Sequence, residues 1–301
     1  MELNGYLYAL SAGATWGFLG IYGAYLSRYG LTGNDIAFVR LFFGFIAGVV
    51  YIIKNKNINR VVSLDNIKNI AVIGIVTQGV MNLLLYKSII IIGTVTATML
   101  LCTGPIFTVI LSSIILKEKI TTQKIIALAI ACIGAVSLIT EGDFKNIKFN
   151  IIGVTLAGMA GICYGIYPIL SRRLKKGTNP LVLTVYSFLV GALVLIPTTN
   201  LGKIFELTRD IKTLMVLLTF GLIPTLIPYI LFLKSMEYID TAKASIITMV
   251  EIPVSALIGV FILKESFNMY KFLGIVLIVS GIMITKINFE KIKSKKYKNI
   301  N

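Results

Sequence analysis

Glu251 is the side chain in this sequence that most clearly could do chemistry, because it lies in the middle of a long apolar run. An acidic side chain at the centre of a membrane-spanning helix costs about 2.5–3.5 kcal/mol, so we expect Glu251 to face a cavity or a partner. At helical spacing it shares a face with Thr248 and Ser255. Two interpretations are open: a carboxylate that binds a cationic solute or carries protons, and a protonated structural Glu beside a kink at Pro253.

A stripe of polar side chains marks another apolar run, where Gln78, Asn82 and Tyr86 follow one another every fourth residue. Amide groups donate and accept hydrogen bonds, so they suit a polar metabolite. The same groups also join neighbouring helices inside a membrane. Thr98 lies on a comparable polar side of the next run. Solute binding and helix contact are both consistent with these residues.

Aromatic rings and one arginine complete the candidate cavity residues. Trp16 and Tyr164 could line a solute path or hold a cation against a ring face, although most aromatic residues in such proteins pack or lie at the interface. Tyr229 stands opposite Asn82 when the two halves of the sequence are aligned. Arg40 lies about one turn inside another run. It could bind a carboxylate through two hydrogen bonds, extend to the lipid headgroups, or pair with a nearby carboxylate.

Prolines inside the apolar runs are candidate hinges; they are Pro105, Pro224, Pro228 and Pro253. Proline lacks a backbone N–H and frees the carbonyl one turn earlier, so it can kink a helix and expose polar backbone to a cavity. A hinge and a plain bend are both consistent with this pattern.

The elements that position these side chains are predicted to be membrane-spanning helices. The chain of 301 residues is 56% hydrophobic and 14% charged, which is more apolar surface than a soluble domain of this length can bury. A spanning helix needs about 20 apolar residues, and the runs lack the alternation of barrel strands. The sequence therefore predicts an all-α integral membrane fold with ten spans, at about 3–27, 35–53, 67–87, 93–115, 122–140, 150–171, 180–198, 211–233, 241–262 and 269–286.

The two halves of the sequence resemble each other. A shift of 147 residues aligns the ILKE of 115–118 with the ILKE of 262–265. Each half holds five predicted spans, an odd number, so the second half must enter the membrane from the opposite side. We therefore expect two inverted five-helix repeats around a central cavity, as in many transporters. The expected divisions are 1–145, 146–287 and a basic cytoplasmic tail at 288–301.

The charge distribution predicts the orientation. The net charge is +16, and with a cytoplasmic N-terminus about twice as many Lys and Arg residues fall in inner loops and tail as in outer loops. This asymmetry follows the positive-inside rule and predicts a multi-pass protein with both termini in the cytoplasm. The tail is expected to set topology, although clustered Lys could also attract anionic lipid or nucleic acid. Lipid bilayer and a small solute are the expected partners, and nucleic acid is not.

Missing residue types exclude several kinds of chemistry. The chain has no His, which rules out a Ser-His pair and the HExxH zinc protease motif. The three cysteines form no CxxC pair, and no GxxxxGK[ST] loop for ATP is present. We therefore expect no catalytic residue, no metal and no cofactor.

Several features together resemble the EamA family of the drug/metabolite transporter superfamily. These are ten spans in two halves, small residues before an aromatic residue and Gly in spans 1 and 6, Arg40 early in span 2, and Pro105 thirteen residues before Glu118. That family often has Glu-Pro in span 9, whereas here Ile252 separates Glu251 from the proline. The resemblance implies a carrier of bacterial plasma membranes, usually an exporter of amino acids or other small metabolites, with a cavity between its halves.

The sequence thus favours a secondary transporter that exports or exchanges a small metabolite, such as an amino acid, by alternating access. A lipid or organic-cation translocator, or a membrane partner without transport activity, is the alternative. An intramembrane enzyme is disfavoured, because no aspartate lies deep in a predicted span.

Overall fold

The computed structural model describes residues 2–55, 58, 64–172 and 179–286. Within these residues the chain forms helices and no β-strand. The predicted basic tail at 288–301 lies outside the described residues. The α-helices are α1 (Glu2–Trp16), α2 (Leu19–Ser27), α3 (Gly33–Lys54), α4 (Leu64–Val72), α5 (Met81–Leu101), α6 (Gly104–Ile115), α7 (Thr122–Thr140), α8 (Ile151–Arg172), α9 (Pro180–Leu195), α10 (Leu201–Thr208), α11 (Ile211–Gly221), α12 (Ile227–Tyr238), α13 (Thr241–Thr248), α14 (Glu251–Phe261) and α15 (Met269–Ile284).

Many of these helices are long and apolar enough to cross a membrane, so the predicted all-α membrane class is confirmed. α6 and α15 are also apolar but shorter. Within the described residues the seven stretches that meet both criteria are Gly33–Lys54, Asn66–Leu101, Thr122–Thr140, Ile151–Arg172, Pro180–Thr198, Ile211–Tyr238 and Thr241–Phe261.

Some predicted spans are broken helices. The run at 3–27 divides after Trp16, where α1 ends and α2 begins three residues later. The run at 93–115 begins at Gly93, whose φ of 79° interrupts α5. That backbone conformation suits glycine, which has no Cβ to clash with its own carbonyl. A break of this kind leaves backbone N–H and C=O groups without partners in the helix ladder.

Prolines explain two further breaks. α5 ends at Leu101, four residues before Pro105, and α13 ends just before Met249, four residues before Pro253. Proline has no N–H to bond the carbonyl four residues earlier, and its ring crowds that carbonyl. The sequence was consistent with a hinge or a plain bend at these prolines, and the structure places a helix break one turn before each of the two.

π-helical turns occur at matched positions in the two halves, in Ile73–Val80 between α4 and α5 and in Leu222–Leu226 between α11 and α12. In the second, the Thr225 hydroxyl donates to the Phe220 carbonyl at 3.0 Å. Pro224 would otherwise leave this carbonyl without a donor, because it lies four residues before the proline. π-helical turns are frequent at functional sites, so both segments are candidates for a functional role.

The repeated ILKE segment adopts the same local structure twice. Lys117 has φ of 58° and Lys264 has φ of 61°, both in the left-handed region. The following residues, Glu118 and Glu265, each donate a backbone N–H to the carbonyl six residues earlier, at 3.2 and 3.1 Å. At each helix end, a left-handed residue thus turns the chain so that the next N–H satisfies a carbonyl of the last turn. The sequence repeat therefore encodes one helix terminus used in both halves.

A buried lysine follows each of these helix ends. Lys124 and Lys271 are 2% and 3% exposed. Each ammonium donates to the carbonyl five residues earlier, at 2.9 Å in both cases. The equivalence of the two halves thus extends into the start of α7 and the start of α15.

Helix α7 defines the two ends of the bundle used below. With 19 residues it is about 28 Å long. Lys124 stands at its start and Glu141 directly follows its end. We call the first the Glu118 end and the second the Glu265 end, after the repeated glutamates that lie there. The Tyr6 hydroxyl donates to the Thr285 carbonyl at 2.7 Å, which joins the start of α1 to the end of α15.

Small residues on α8 allow close contacts with neighbouring helices. A Cβ added at Gly165 would lie 2.6 Å from the Gly104 carbonyl oxygen, closer than a real Cβ approaches. The Thr108 hydroxyl donates to the Gly165 carbonyl at 3.1 Å, and Ser88 donates to the Gly153 carbonyl at 2.9 Å. α8 therefore packs directly on α5 and α6 through its backbone, as small-residue seams do in membranes.

Candidate functional site

Two neighbouring cavities meet at the break between α13 and α14. The larger has a volume of about 540 Å³ and the smaller about 220 Å³. The residues that line both are Leu101, Tyr164, Ser245, Thr248 and Glu251. These five side chains therefore form the partition between the cavities, and the start of α14 places Glu251 within it.

Aromatic rings form much of the wall of the smaller cavity. The rings of Trp16 and Tyr229 meet edge to face with centroids 5.3 Å apart, and those of Tyr167 and Tyr229 do so at 5.0 Å. Phe232 closes the group, 5.6 Å from Trp16. Such contacts fix the rings against one another, so this wall is preformed.

A hydrogen bond between the two halves of the chain holds Tyr229 in place. The Gln78 amide donates to the Tyr229 hydroxyl at 2.9 Å, and that hydroxyl also lies 3.3 Å from the amide oxygen of Gln78. Gln78 is 1% exposed and stands behind Tyr229 rather than in the cavity wall. Asn82 lines the cavity and donates to the Gln78 carbonyl.

Charges of opposite sign line the smaller cavity. Arg40 from α3 and Glu251 from α14 both reach it. Among the described residues neither forms an ion pair, and the buried Arg40 Nε has no hydrogen-bond partner there. An unpaired charge in a confined site is costly. A site of this kind is therefore typical of one that binds a ligand whose charged groups pair with these side chains.

The larger cavity runs from the partition to the Glu265 end. Near the partition it is lined by polar groups that include Thr98 and Ser255. At the far side it is lined by Glu141, Glu265 and Lys271. Neither cavity is lined by Glu118, so in the described structure the larger cavity extends from the partition toward the Glu265 end.

At the opposite end Glu118 closes the bundle. Its carboxylate accepts from the backbone N–H of Thr241 at 2.9 Å and of Ala242 at 3.2 Å. These N–H groups begin α13, where a carboxylate gains from both hydrogen bonds and the helix dipole. Arg172 donates to the same carboxylate at 3.1 Å, and the Glu118 side chain is 9% exposed. Three helices are thereby joined: α6 leads into Glu118, α8 ends at Arg172, and α13 begins at Thr241.

Two lysines at matched positions make different ion pairs. Lys124 pairs with Asp240 at 2.9 Å and so links α7 to the residue before α13. Lys271 pairs with Glu141 at 3.0 Å and with Glu265 at 3.2 Å. The Glu265 side chain is 49% exposed and stays next to its own helix. The two ends thus have the same local backbone structure, but their charged side chains form different ion pairs.

The structure brings most of the predicted site residues together. Gln78 lines neither cavity and instead bonds Tyr229 from behind the wall. Tyr86 lies against Gly33 and also lines neither cavity. Their roles in binding stay predictions. The predicted residues that line one or both cavities are Trp16, Arg40, Asn82, Thr98, Tyr164, Tyr229, Thr248 and Glu251.

The predicted hinges occupy three settings. Pro105 lines the larger cavity, and Pro253 is buried in the first turn of α14. Pro224 and Pro228 lie within and just after the second π-helical turn. A hinge motion at any of them stays a prediction.

Sequence reasoning missed several wall residues. Ser245 lies one turn before Thr248, and Phe232 lies three residues after Tyr229, so helical periodicity could have found both. Lys271 and Glu141 at the far rim gave no comparable signal. Lys271 lies at the start of the predicted span 269–286 and Glu141 directly after the predicted span 122–140, and the hydropathy pattern carries no information on long-range ion pairs.

Known proteins of similar sequence are named as transporters. A protein of Archaeoglobus fulgidus described as an uncharacterised transporter is 24% identical over 251 residues, which are 83% of this chain and 85% of that protein. The uncharacterised transporter YyaM of Bacillus subtilis is 25% identical over 249 residues, 80% of this chain and 81% of its own length.

A solved crystal structure shares the fold. It superposes with a TM-score of 0.78 over 93% of this chain and 96% of its own, at 14% sequence identity. The sequence profile of the EamA-like transporter family matches residues 3–140 and again residues 151–287. Together these segments cover most of the chain, so the protein belongs to the EamA-like transporter family.

Proposed function

We propose that this protein is a secondary transporter of the plasma membrane that exports or exchanges a small zwitterionic metabolite, such as an amino acid, by alternating access. The observation that carries the proposal is that Arg40 and Glu251 line one small cavity without pairing with each other. A solute with one anionic and one cationic group satisfies both side chains at once. The proposal assigns no enzymatic activity and no cofactor.

Each end of such a solute has suitable partners. The guanidinium of Arg40 offers parallel N–H donors that match a carboxylate. Glu251 and the aromatic wall around Tyr229 suit an ammonium group, which is attracted both to the carboxylate and to ring faces. The volume of about 220 Å³ is below the about 300–1,000 Å³ of sites for drug-sized ligands. This size favours a small metabolite.

We propose that the helices form ten spans in two inverted halves, divided near residue 146. Broken spans are included in this count, α1 with α2 and α13 with α14 among them. Support comes from the recurrence of the ILKE helix ends, the buried lysines and the π-helical turns at matched positions. The two separate matches of the family profile agree with the same division.

We further propose that both termini face the cytoplasm. The contact between Tyr6 and Thr285 supports placing them at the same end, and the excess of inner basic residues supports the orientation. In this orientation the larger cavity connects the site to the outside, and the Glu118 end is the closed cytoplasmic side.

An organic-cation translocator is the second candidate, because an aromatic wall with one carboxylate also suits a cation without an anionic group. Arg40 distinguishes the two, since its charge opposes a plain cation and attracts a zwitterion.

Flux into proteoliposomes tests the proposal. Purified protein would be reconstituted and assayed for counterflow and gradient-driven accumulation over a panel of amino acids, primary amines and organic cations. We expect saturable flux of a zwitterion, and we expect amines to inhibit this flux only weakly. Absence of saturable flux for every solute would overturn the transport proposal, and flux of amines alone would favour the second candidate.

A further inference from the structure

The repeated glutamates differ in what they hold, although their backbones match. Glu118 caps the start of α13 through the N–H groups of Thr241 and Ala242. Glu265 caps no helix in the described structure; it pairs with Lys271 and is half exposed. Because the helix ends that carry both residues are the same, this difference reflects the surroundings rather than the local fold.

The chain contains a second helix start that corresponds to the first. A shift of 147 residues relates Thr241 to Thr94, the first residue after the break at Gly93. Asp240, which precedes α13, is extended with φ of −61° and ψ of 148°. Gly93 has a similar ψ of 163° but a φ of 79°, so the same helix start is reached there through a conformation that suits glycine. Thr94 to Leu101 then gives two turns of helix, as α13 does.

Glu265 and this second helix start line the same space. The larger cavity is bordered by Thr94 and Val95 on one element and by Glu265 on another. At the other end the equivalent groups are in contact, and the space between them is closed. The cavity therefore lies where the second contact would form.

We propose that Glu118 and Glu265 are alternating caps that close opposite ends of the protein, one at a time. In the described conformation Glu118 caps α13 and the Glu265 end is open. In the opposite conformation Glu265 leaves Lys271 and caps the helix that starts at Thr94, while Glu118 leaves α13. This inference rests on the proposed transport by alternating access and assigns the residues that lock each state.

The device is reciprocal because each cap is a charged contact to a helix start. A carboxylate on two backbone N–H groups gains from charge-assisted hydrogen bonds and from the helix dipole, and it loses both when the helix moves away. Lys271 keeps Glu265 compensated while its end is open. An uncompensated carboxylate at a helix end within a membrane would be costly, so the lysine makes the open state accessible.

Distance measurements between spin labels test the proposal on the full chain in lipid vesicles. One pair, at Lys87 and Phe267, reports the Glu265 end, and the pair related by the 147-residue shift, at Lys234 and Ile120, reports the Glu118 end. All four side chains are exposed. The native cysteines would be replaced by alanine in both reporters.

Removing the charge of one cap should favour the other. The measured quantity is the ratio of molecules closed at the Glu265 end to molecules closed at the Glu118 end. In Glu118→Gln we expect this ratio to rise about tenfold, because a hydrogen bond to a charged group is stronger than one to a neutral amide. Adding Glu265→Gln should cancel that rise. Glu206→Gln, a change at an exposed glutamate on α10, is the matched control and should leave both distances unchanged.

Proline variants remove the donor instead of the acceptor. Thr241→Pro should act as Glu118→Gln does, and Thr94→Pro should cancel the rise as Glu265→Gln does, because proline at the first position of a helix removes one N–H and keeps the helical backbone. Thr241→Val, which removes only the hydroxyl that accepts from Arg172 at 3.0 Å, is the control for the lost side chain. If a glutamine variant fails to fold, the corresponding proline variant tests the same contact. The proposal is overturned if Glu118→Gln and Thr241→Pro leave the distances unchanged, or if the rise persists without Glu265 and with proline at position 94.

The outcome is separable from that of the transport proposal. Distances are measured without any solute, so saturable flux without reciprocal distance changes overturns only the alternating caps. Reciprocal changes in a protein that moves no solute overturn only the transport proposal.

Discussion

Matched changes of protein and solute test whether Arg40 and Glu251 bind opposite ends of one molecule. The variants are Arg40→Gln and Glu251→Gln, each of which removes a charge that lines the smaller cavity and keeps a polar side chain. The solutes are the best amino acid of the flux panel, the amine that lacks its carboxylate, and the carboxylic acid that lacks its amine.

The expected magnitude follows from the contacts that each change removes. A hydrogen bond to a charged group contributes about 1.5–3 kcal/mol. Since about 1.4 kcal/mol corresponds to a factor of ten in affinity, one lost contact should raise the half-saturation concentration of the amino acid about 10- to 150-fold. Neither residue has another partner in the described part of the chain that would take up the loss.

The pattern across solutes is the decisive result, and counterflow in proteoliposomes measures it. Arg40→Gln should weaken the amino acid and the acid but not the amine, whereas Glu251→Gln should weaken the amino acid and the amine but not the acid. Equal losses for all three solutes in either variant would refute the reasoning, because a general distortion of the cavity ignores which charge the solute carries.

Three further predictions concern stability, each measured by thermal unfolding of the purified protein. Tyr229→Phe should lower the free energy of unfolding by about 1–3 kcal/mol, because it leaves the buried Gln78 amide without its partner; the double variant with Gln78→Leu should recover most of this, and an equal loss in both would contradict it. Gly134→Ala should cost about 1–3 kcal/mol, since its Cβ would lie 2.8 Å from a carbonyl oxygen of α15, whereas Gly158→Ala, with open space around its Cβ, should cost less. Hydrogen bonds from the first turn of α11 lower the pKa of Asp210. The stabilisation by Asp210 is therefore present above its unfolded-state pKa and is lost as the pH falls through the lower folded-state pKa. Asp210→Asn should weaken the decrease of the unfolding temperature in acid, and an unchanged decrease would contradict this.

Hydropathy and internal repetition predicted much of the fold. The span expected at 122–140 and helix α7 coincide, and most other spans differ by a few residues at their ends. The break after Trp16 was not predicted, because no proline or charge marks it and the apolar pattern continues across it. Such breaks depend on packing with other helices, which periodicity along one helix does not contain.

The candidate site was predictable where a polar group interrupts an apolar run. Glu251 and Arg40 were found in this way, because either charge is costly in lipid. The partner of Gln78 was not predictable from its own stripe, since Tyr229 is 151 residues away in sequence. The burial of Lys271 against Glu141 was not predictable either, because this ion pair depends on the tertiary structure.

The left-handed backbone at Lys117 and Lys264 places the same strain at both ends of the molecule. A residue with a Cβ pays about 1–2 kcal/mol for this conformation. In the alternating caps proposed above, the same strain and the same backbone bonds occur at both ends, so these contributions cancel between the two conformations. The resting preference is then set by residues that the repeat does not match. Arg172, Asp240 and Glu141 are such residues, since the repeat places no like charge opposite them, so small changes at these three should tune which way the empty protein faces.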